Sequence, residues 1–271
     1  MMGAMELIRS RRSVRSFDGK PLAPAELDGL LKCANDVKTP FDLPIEWRIL
    51  NAKEHGLSSP VITGTDTWIA GKLRRAPHAE EAFGFAFERV VLYAQSVGIG
   101  TTWIAGTIDR PAFERAMALA EGEVLPCVSP LGHPAAKLSI REALMRKGVK
   151  ADARLPFGEL FFDGSFDKPL TVEAAGALAE TLEMVRWAPS AVNKQPWRVV
   201  LTENAAHFYE KRGKGFVDAT GWDIQRIDIG IAMCHFACGL EEQGRKYDFT
   251  FDDPGLGHGE DTGYVATCRF E

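Results

Sequence analysis

Ala79-Glu80-Glu81-Ala82-Phe83-Gly84-Phe85-Ala86-Phe87-Glu88-Arg89-Val90-Val91-Leu92-Tyr93-Ala94-Gln95-Ser96-Val97 reads as one long helix. Phe83, Phe85, Ala86, Phe87, Val90, Val91, Tyr93, Ala94 and Val97 cover nearly its whole circumference. A helix that is apolar all round must be buried on most sides. Gly98-Ile99-Gly100 ends it. This glycine pair is not a dinucleotide fingerprint, because that motif follows a strand and this pair follows a helix. A second stretch of the same kind runs from Ile227 to Gln243 and stops at Gly244.

The segments around the two helices repeat in order. Pro21-Leu22, a helix from Ala25 to about Asn35, and Trp47-Arg48-Ile49 precede the first. Pro169-Leu170, a helix from Val172 to about Trp187 capped by Thr171, and Trp197-Arg198-Val199 precede the second. Pro21 and Trp47 are 26 positions apart, Pro169 and Trp197 are 28. The expected fold is α+β, a mixed sheet flanked by helices and duplicated within one chain. The two apolar helices would pack together as the shared core of a fused pseudo-dimer. The turn at Gly164-Ser165 divides the halves, 1–163 and 164–271.

Met5 to Ser10 reads as a short helix, Trp47 to Leu50 as a buried strand and Glu54 to Asp66 as a loop. Trp68 to Arg75 reads as a short helix. Asp109 caps a helix from Pro111 to Ala120. Val124 to Gly132 is a strand made irregular by Pro126 and Pro130. Lys137 to Lys150 is basic and helical. Ala188 to Pro196 is a loop, Trp197 to Leu201 a strand and Asn204 to Gly213 helical. Tyr247 to Asp252 and Tyr264 to Phe270 are strands around a glycine-rich connection.

Composition is that of an ordinary globular chain: 271 residues, 45% hydrophobic and 25% charged. A net charge of −5 argues against a general nucleic-acid surface. No apolar run reaches membrane-spanning length, and no apolar segment of a secretory signal follows the first basic residues. Five unpatterned cysteines fit a reducing cytoplasm rather than a disulfide framework. Cys234, His235 and Cys238 lie in an apolar helical run without a second ligand pair, so they read as small buried residues and no metal is expected.

Against this acidic background Arg11-Arg12-Ser13-Val14-Arg15-Ser16-Phe17 concentrates three arginines and two serines. In an extended backbone Arg11, Ser13 and Arg15 share one side. Guanidinium groups and a hydroxyl can clamp a phosphate dianion. Taken alone, these seven residues read first as a solvated basic N-terminus or a processed leader, because short basic runs are common. The loop Ala188-Pro189-Ser190-Ala191-Val192-Asn193-Lys194-Gln195-Pro196 is stiff and displays hydroxyl and amide groups, or is simply a helix-to-strand connector.

Taken together, Arg11 to Phe17, Ala188-Pro189-Ser190 through Gln195-Pro196-Trp197, Gly98-Ile99-Gly100-Thr101-Thr102-Trp103-Ile104 and Leu131-Gly132-His133-Pro134 resemble the FMN-dependent nitroreductase superfamily. Arg154-Leu155-Pro156-Phe157-Gly158-Glu159-Leu160 resembles its terminal arginine segment. The resemblance covers most of the chain and points to the branch that fuses the roles of two subunits in one polypeptide. It implies that Arg11, Ser13 and Arg154 hold the phosphate of FMN, that Arg12 is among the cofactor-binding residues, and that Arg15 lies nearer the ribityl chain and pyrimidine edge. Ala105 and Gly106 would approach the ring near N5, and Pro189, Ser190 and Asn193 would close the site. Asp152 departs from the family, which often carries a cation there; an acid found in some members is Ala105 here, so no catalytic acid is named. The reciprocal motifs are degraded, which implies one FMN per chain.

The implied activity is ping-pong hydride transfer from NADH or NADPH, through FMN, to a small-molecule acceptor such as a nitroaromatic or quinone. The alternatives are an FMN-binding redox sensor or carrier without turnover, and a helical interaction module without cofactor. The expected protein is a cytoplasmic monomer, its internal pseudo-dimer replacing a partner.

Overall fold

A computed structural model describes residues 3–137 and 139–271. The chain forms two interleaved compact units. One, the clamp unit, comprises Ser10–Ala79 and Ala86–Gly148. The other, the loop unit, comprises Glu80–Phe85, Val149–Glu271 and the residues up to Arg9. This spatial division differs from a single cut between Asp163 and Gly164, because two early segments join the later part of the chain.

The elements in chain order are α1 (Ala4–Ser10), α2 (Pro24–Asp36), β1 (Glu46–Asn51), α3 (Ala52–His55), β2 (Thr67–Arg74), α4 (Ala79–Ser96), α5 (Arg110–Ala116), β3 (Glu123–Val124) and β4 (Val128–Leu131). Then come α6 (Ile140–Gly148), α7 (Phe157–Leu160), β5 (Phe161–Asp163), α8 (Ala179–Arg186), β6 (Trp197–Thr202), β7 (Ala205–Lys211), α9 (Ile224–Glu242), β8 (Tyr247–Thr250) and β9 (Thr262–Phe270). The basic stretch expected to be helical from Lys137 is helical from Ile140; Leu138 lies outside the described residues.

In the clamp unit β2 is the central strand. It pairs antiparallel with β1 along one edge, and with β4 and β3 along the other. The helix expected over Trp68 to Arg75 is therefore incorrect. Trp68 through Leu73 are buried on both faces, so the strand carries no alternation of apolar and polar residues to mark it. Gly71 lets the Trp47 ring lie against the strand: a Cβ there would stand 2.4 Å from the ring. Trp68 meets Phe113 of α5 edge-on, centroids 5.1 Å apart, in a core with Leu50, Ile104, Met117 and Val128. Asp109 caps α5 by accepting from the Ala112 N–H. The helix stops at Ala116 rather than Ala120, and Ala118 has φ +48°.

In the loop unit the strand order is β5-β6-β7-β9-β8, parallel between β5 and β6 and antiparallel elsewhere. The helix expected over Asn204 to Gly213 is the second error. Glu203-Asn204 turns β6 into β7, and Trp197 pairs with Glu210. Like β2, β7 is buried on both faces, which hides its period. The helix expected from Val172 to Trp187 is broken: Gly176 has φ +52°, a 3-10 turn follows over Gly176–Leu178, and α8 starts at Ala179. Thr171 still caps the preceding turn, its hydroxyl oxygen accepting from Ala174 N–H at 3.2 Å.

The mixed α+β architecture is as expected. Both units contain a helix, an antiparallel strand pair and a further strand bonded to the second of the pair: α2, β1, β2, β4 and α8, β6, β7, β9. Within the loop unit the first turns of α4 lie against α9. A Cβ on Gly84 would stand 2.1 Å from the Ile227 carbonyl oxygen, and one on Gly230 would stand 2.2 Å from that of Glu81. Arg226 of α9 pairs with the buried Glu81 at 2.5 Å. The two apolar helices thus touch backbone to backbone, through a glycine on each.

Candidate functional site

The basic segment of the clamp unit is extended, as the alternation requires. Val14 N–H donates to Thr101 O at 2.8 Å, Phe17 N–H to Thr63 O at 2.9 Å and Thr63 N–H to Arg15 O at 3.0 Å. Ser13 and Thr101 form a parallel bridge, and Phe17 bridges Pro134. Val14 and Phe17 are buried, whereas Arg11, Ser13 and Arg15 keep part of their surface.

Three glycines make room for this segment. A Cβ on Gly100 would lie 3.0 Å from three carbons of Val14, and one on Gly132 would lie 2.8 Å from the Phe17 ring. Gly64, at φ +80°, would bring a Cβ to 2.2 Å from the Phe17 carbonyl oxygen. Gly100 N–H donates to Gly132 O at 2.8 Å, which joins two walls of the cradle. Arg12 turns to the buried Glu142 of α6, 3.6 Å away, so its charge also serves the clamp unit's own packing.

Ala105 and Gly106 leave the core immediately after Ile104, which bridges Val128. Arg110 holds them: its guanidinium donates to Ala105 O at 2.8 Å, Leu125 O at 2.6 Å and Pro126 O at 3.4 Å. Nothing lies within 4 Å of where a Gly106 Cβ would stand, so the backbone there is open to a flat ligand. Sequence reasoning missed Arg110, whose place beside the Asp109 cap made it read as an ordinary first-turn residue.

In the loop unit Val192, Asn193 and Gln195 have φ of +43°, +58° and +51°. Three non-glycine residues in that region within four positions mark stored backbone strain. Side chains hold the strain in place. Ser190 Oγ accepts from Gln195 N–H at 2.9 Å. Gln195 Oε1 accepts from Leu155 N–H at 2.9 Å, and Asn193 Nδ2 donates to Lys150 O and Ala153 O at 2.8 and 3.0 Å. Gln195, read as a displayed amide, is instead buried and internal. Asn193 commits its amide protons to those carbonyls, which leaves its Oδ1 for a ligand. Arg154 donates to Ala151 O, Ala153 O and Trp187 O and lies 4.7 Å over the Trp187 ring. Its guanidinium therefore fastens the segment 151–154 to the end of α8.

Beneath this loop lies a row of buried acids. Asp228 of α9 accepts from Ala191 N–H, both oxygens at 3.1 Å. Burial pushes its carboxyl well above the usual carboxylate range; the Ala191 bond opposes this, and Asp223 and Glu210 add to it. Burial, with Asp223 beside it, pushes Glu210 up to about 7. Among the described residues no His, Cys, Asp and Glu group is arranged to hold a metal, and no helix is long and apolar enough to cross a membrane. Cys234 and Cys238 are buried, and His235 Nδ1 donates to Met184 O at 2.8 Å.

The family described as "Putative TM nitroreductase" matches residues 4–240. A solved structure described as a putative nitroreductase from Thermotoga maritima MSB8 is 21% identical, with a TM-score of 0.64, covering 99% of this chain and 94% of that one. A putative NADH dehydrogenase/NAD(P)H nitroreductase from Bacteroides thetaiotaomicron VPI-5482 is 22% identical, with a TM-score of 0.43, covering 50% of this chain and 89% of that one. A nitroreductase with bound FMN from Bacteroides fragilis NCTC 9343 is 18% identical, with a TM-score of 0.42, covering 51% of this chain and 92% of that one. No curated protein matches significantly.

Proposed function

The chain belongs to the TM nitroreductase family, and from that premise we propose that it is an FMN-dependent oxidoreductase. The observation that carries this reading is the glycine cradle. Gly64, Gly100 and Gly132 hold Arg11 to Phe17 extended, with its apolar residues buried and its alternate polar residues partly exposed. That arrangement fits a phosphate dianion.

Arg11 and Ser13 are the proposed phosphate ligands, with Arg12 and Arg15 beside them and Arg15 toward the polar edge of the flavin. Arg154 is proposed as a further FMN-binding residue of the loop unit, where it also braces 151–154. Ala105 and Gly106 offer an open backbone to the ring, and Arg110 fixes where that backbone lies. Pro189, Ser190 and Asn193 are proposed as further FMN-binding residues. Ser190 accepts from Gln195, which leaves its hydroxyl proton for donation. When bound, FMN supplies the hydride chemistry, while the protein orients it and controls access. A cation near the polar edge favours reduced, anionic flavin, and Arg15 is the group proposed for this.

The proposed turnover is ping-pong, from NADH or NADPH to a nitroaromatic, quinone or similar acceptor. The proposed setting is a cytoplasmic monomer, and the proposed origin of the two units is a duplication. The test is flavin released from purified, desalted protein, with the absorption spectrum. Close to one FMN per chain is expected, followed by NAD(P)H-dependent bleaching and recovery on adding menadione or nitrofurazone. Two FMN per chain would refute the single site; no flavin, even after FMN is added, would refute the cofactor. Bleaching without recovery would leave a flavin binder that does not turn over.

A further inference from the structure

Asp228 is an acid buried inside a helix flanked by Ile227 and Ile229 and apolar along most of its length. Burying a carboxyl among apolar neighbours costs stability unless it makes a bond of structural value. Here the bond goes to the peptide between Ser190 and Ala191. Ala191 N–H donates to Asp228, and the carbonyl of the same peptide, Ser190 O, accepts from Asn193 N–H at 3.0 Å. One peptide plane is thus pinned at both ends.

The position of that plane matters because of the strain that follows it. Asn193 and Gln195 tie the distal half of the loop to residues 150–155. The proximal half, which carries Pro189 and Ser190, is tied to α9 at Ala191. Without that tie, the left-handed residues Val192 and Asn193 could relax toward ordinary backbone. Relaxation would swing Ser190 away from the place where its hydroxyl oxygen meets Gln195 N–H.

We propose that Asp228 is a positioning residue, which fixes the Ser190-Ala191 peptide and thereby aims Ser190 at bound flavin. The inference rests on the flavin reading above. Asp228 acts through Ala191 and does not itself touch the cofactor. Its burial favours the neutral acid. A neutral carboxyl has one oxygen free to accept, as does an amide, so asparagine should replace it.

The experiment compares Asp228→Asn and Asp228→Ala with wild type, titrating FMN into flavin-stripped protein by fluorescence quenching and recording the bound-flavin spectrum. D228N is expected to bind within about threefold of wild type with an unchanged spectrum, and D228A about tenfold or more weaker with a shifted one. Thermal midpoints of the flavin-free variants separate this from general loosening. Equal FMN binding by D228A and D228N overturns the inference and leaves the flavin reading intact. A wild type that takes up no FMN overturns both. Should D228A not fold, amide exchange in the wild type decides: a protected Ala191 N–H supports the tie, and a rapidly exchanging one overturns it.

Discussion

At the scale of single residues, space and conformation can be told apart at two glycines. Gly64 and Gly98 have similar φ, +80° and +78°, but only Gly64 faces backbone, the Phe17 carbonyl at 2.2 Å from a Cβ. Gly98→Ala should cost only the left-handed penalty, about 1–2 kcal/mol. Gly64→Ala should cost about 3 kcal/mol or more, because overpacking adds to that penalty. It should also weaken FMN binding, since Phe17 anchors the basic segment. Thermal melts and flavin titration of both variants measure the difference. Glu210 gives a second expectation. Its carboxyl is raised from 4.5 to about 7 in the folded protein, mainly by burial. A raised acid stabilises below its unfolded value and loses that contribution as pH climbs through its folded value. Wild-type stability should therefore fall between about pH 4.5 and pH 7 and level off above, with Asp228 contributing in the same direction. Glu210→Gln should flatten that fall, measured by urea unfolding at both ends of the range, by roughly 1–3 kcal/mol. The acids were less legible in sequence than the arginines. Arg11, Ser13 and Arg15 stand out against an acidic chain, whereas Asp228 is one polar letter in a run that reads as uniformly apolar.

At the scale of elements, the long helices could be read from their apolar runs and glycine stops, and β1, β6, β8 and β9 from short apolar stretches. The two strands misread as helices, β2 and β7, occupy the same place in their units. Each is the second strand of an antiparallel pair and is covered on both faces. A short run buried on both sides has no period to read, and only pairing with its neighbours makes it a strand. The glycines that let the first turns of α4 lie against α9 within the loop unit were not foreseen. Gly230→Ala would place a methyl 2.2 Å from the Glu81 carbonyl oxygen, in rigid backbone on both sides. It should lower stability by about 3 kcal/mol or more, despite alanine's better helix propensity. A midpoint unchanged or raised in calorimetry would show that the helices can separate freely.

At the scale of the molecule, the family match over residues 4–240 and the fold shared with the Thermotoga maritima protein agree with the mixed α+β architecture expected from the sequence. The boundary was harder to read, because compactness depends on distant contacts rather than on local turns such as Gly164-Ser165. The loop unit gathers α1, the turns Glu80–Phe85 and everything from Val149 onward. Within it Ala4 N–H meets Glu242, at the far end of α9. This threading sets an order on synthesis. During synthesis α1 leaves the ribosome 238 residues ahead of Glu242. Until the end of α9 has left the exit tunnel, the Ala4 N–H lacks its native partner, Glu242. The nascent chain must therefore hold α1 in waiting while the residues between are made, and an element translated early completes its contacts late.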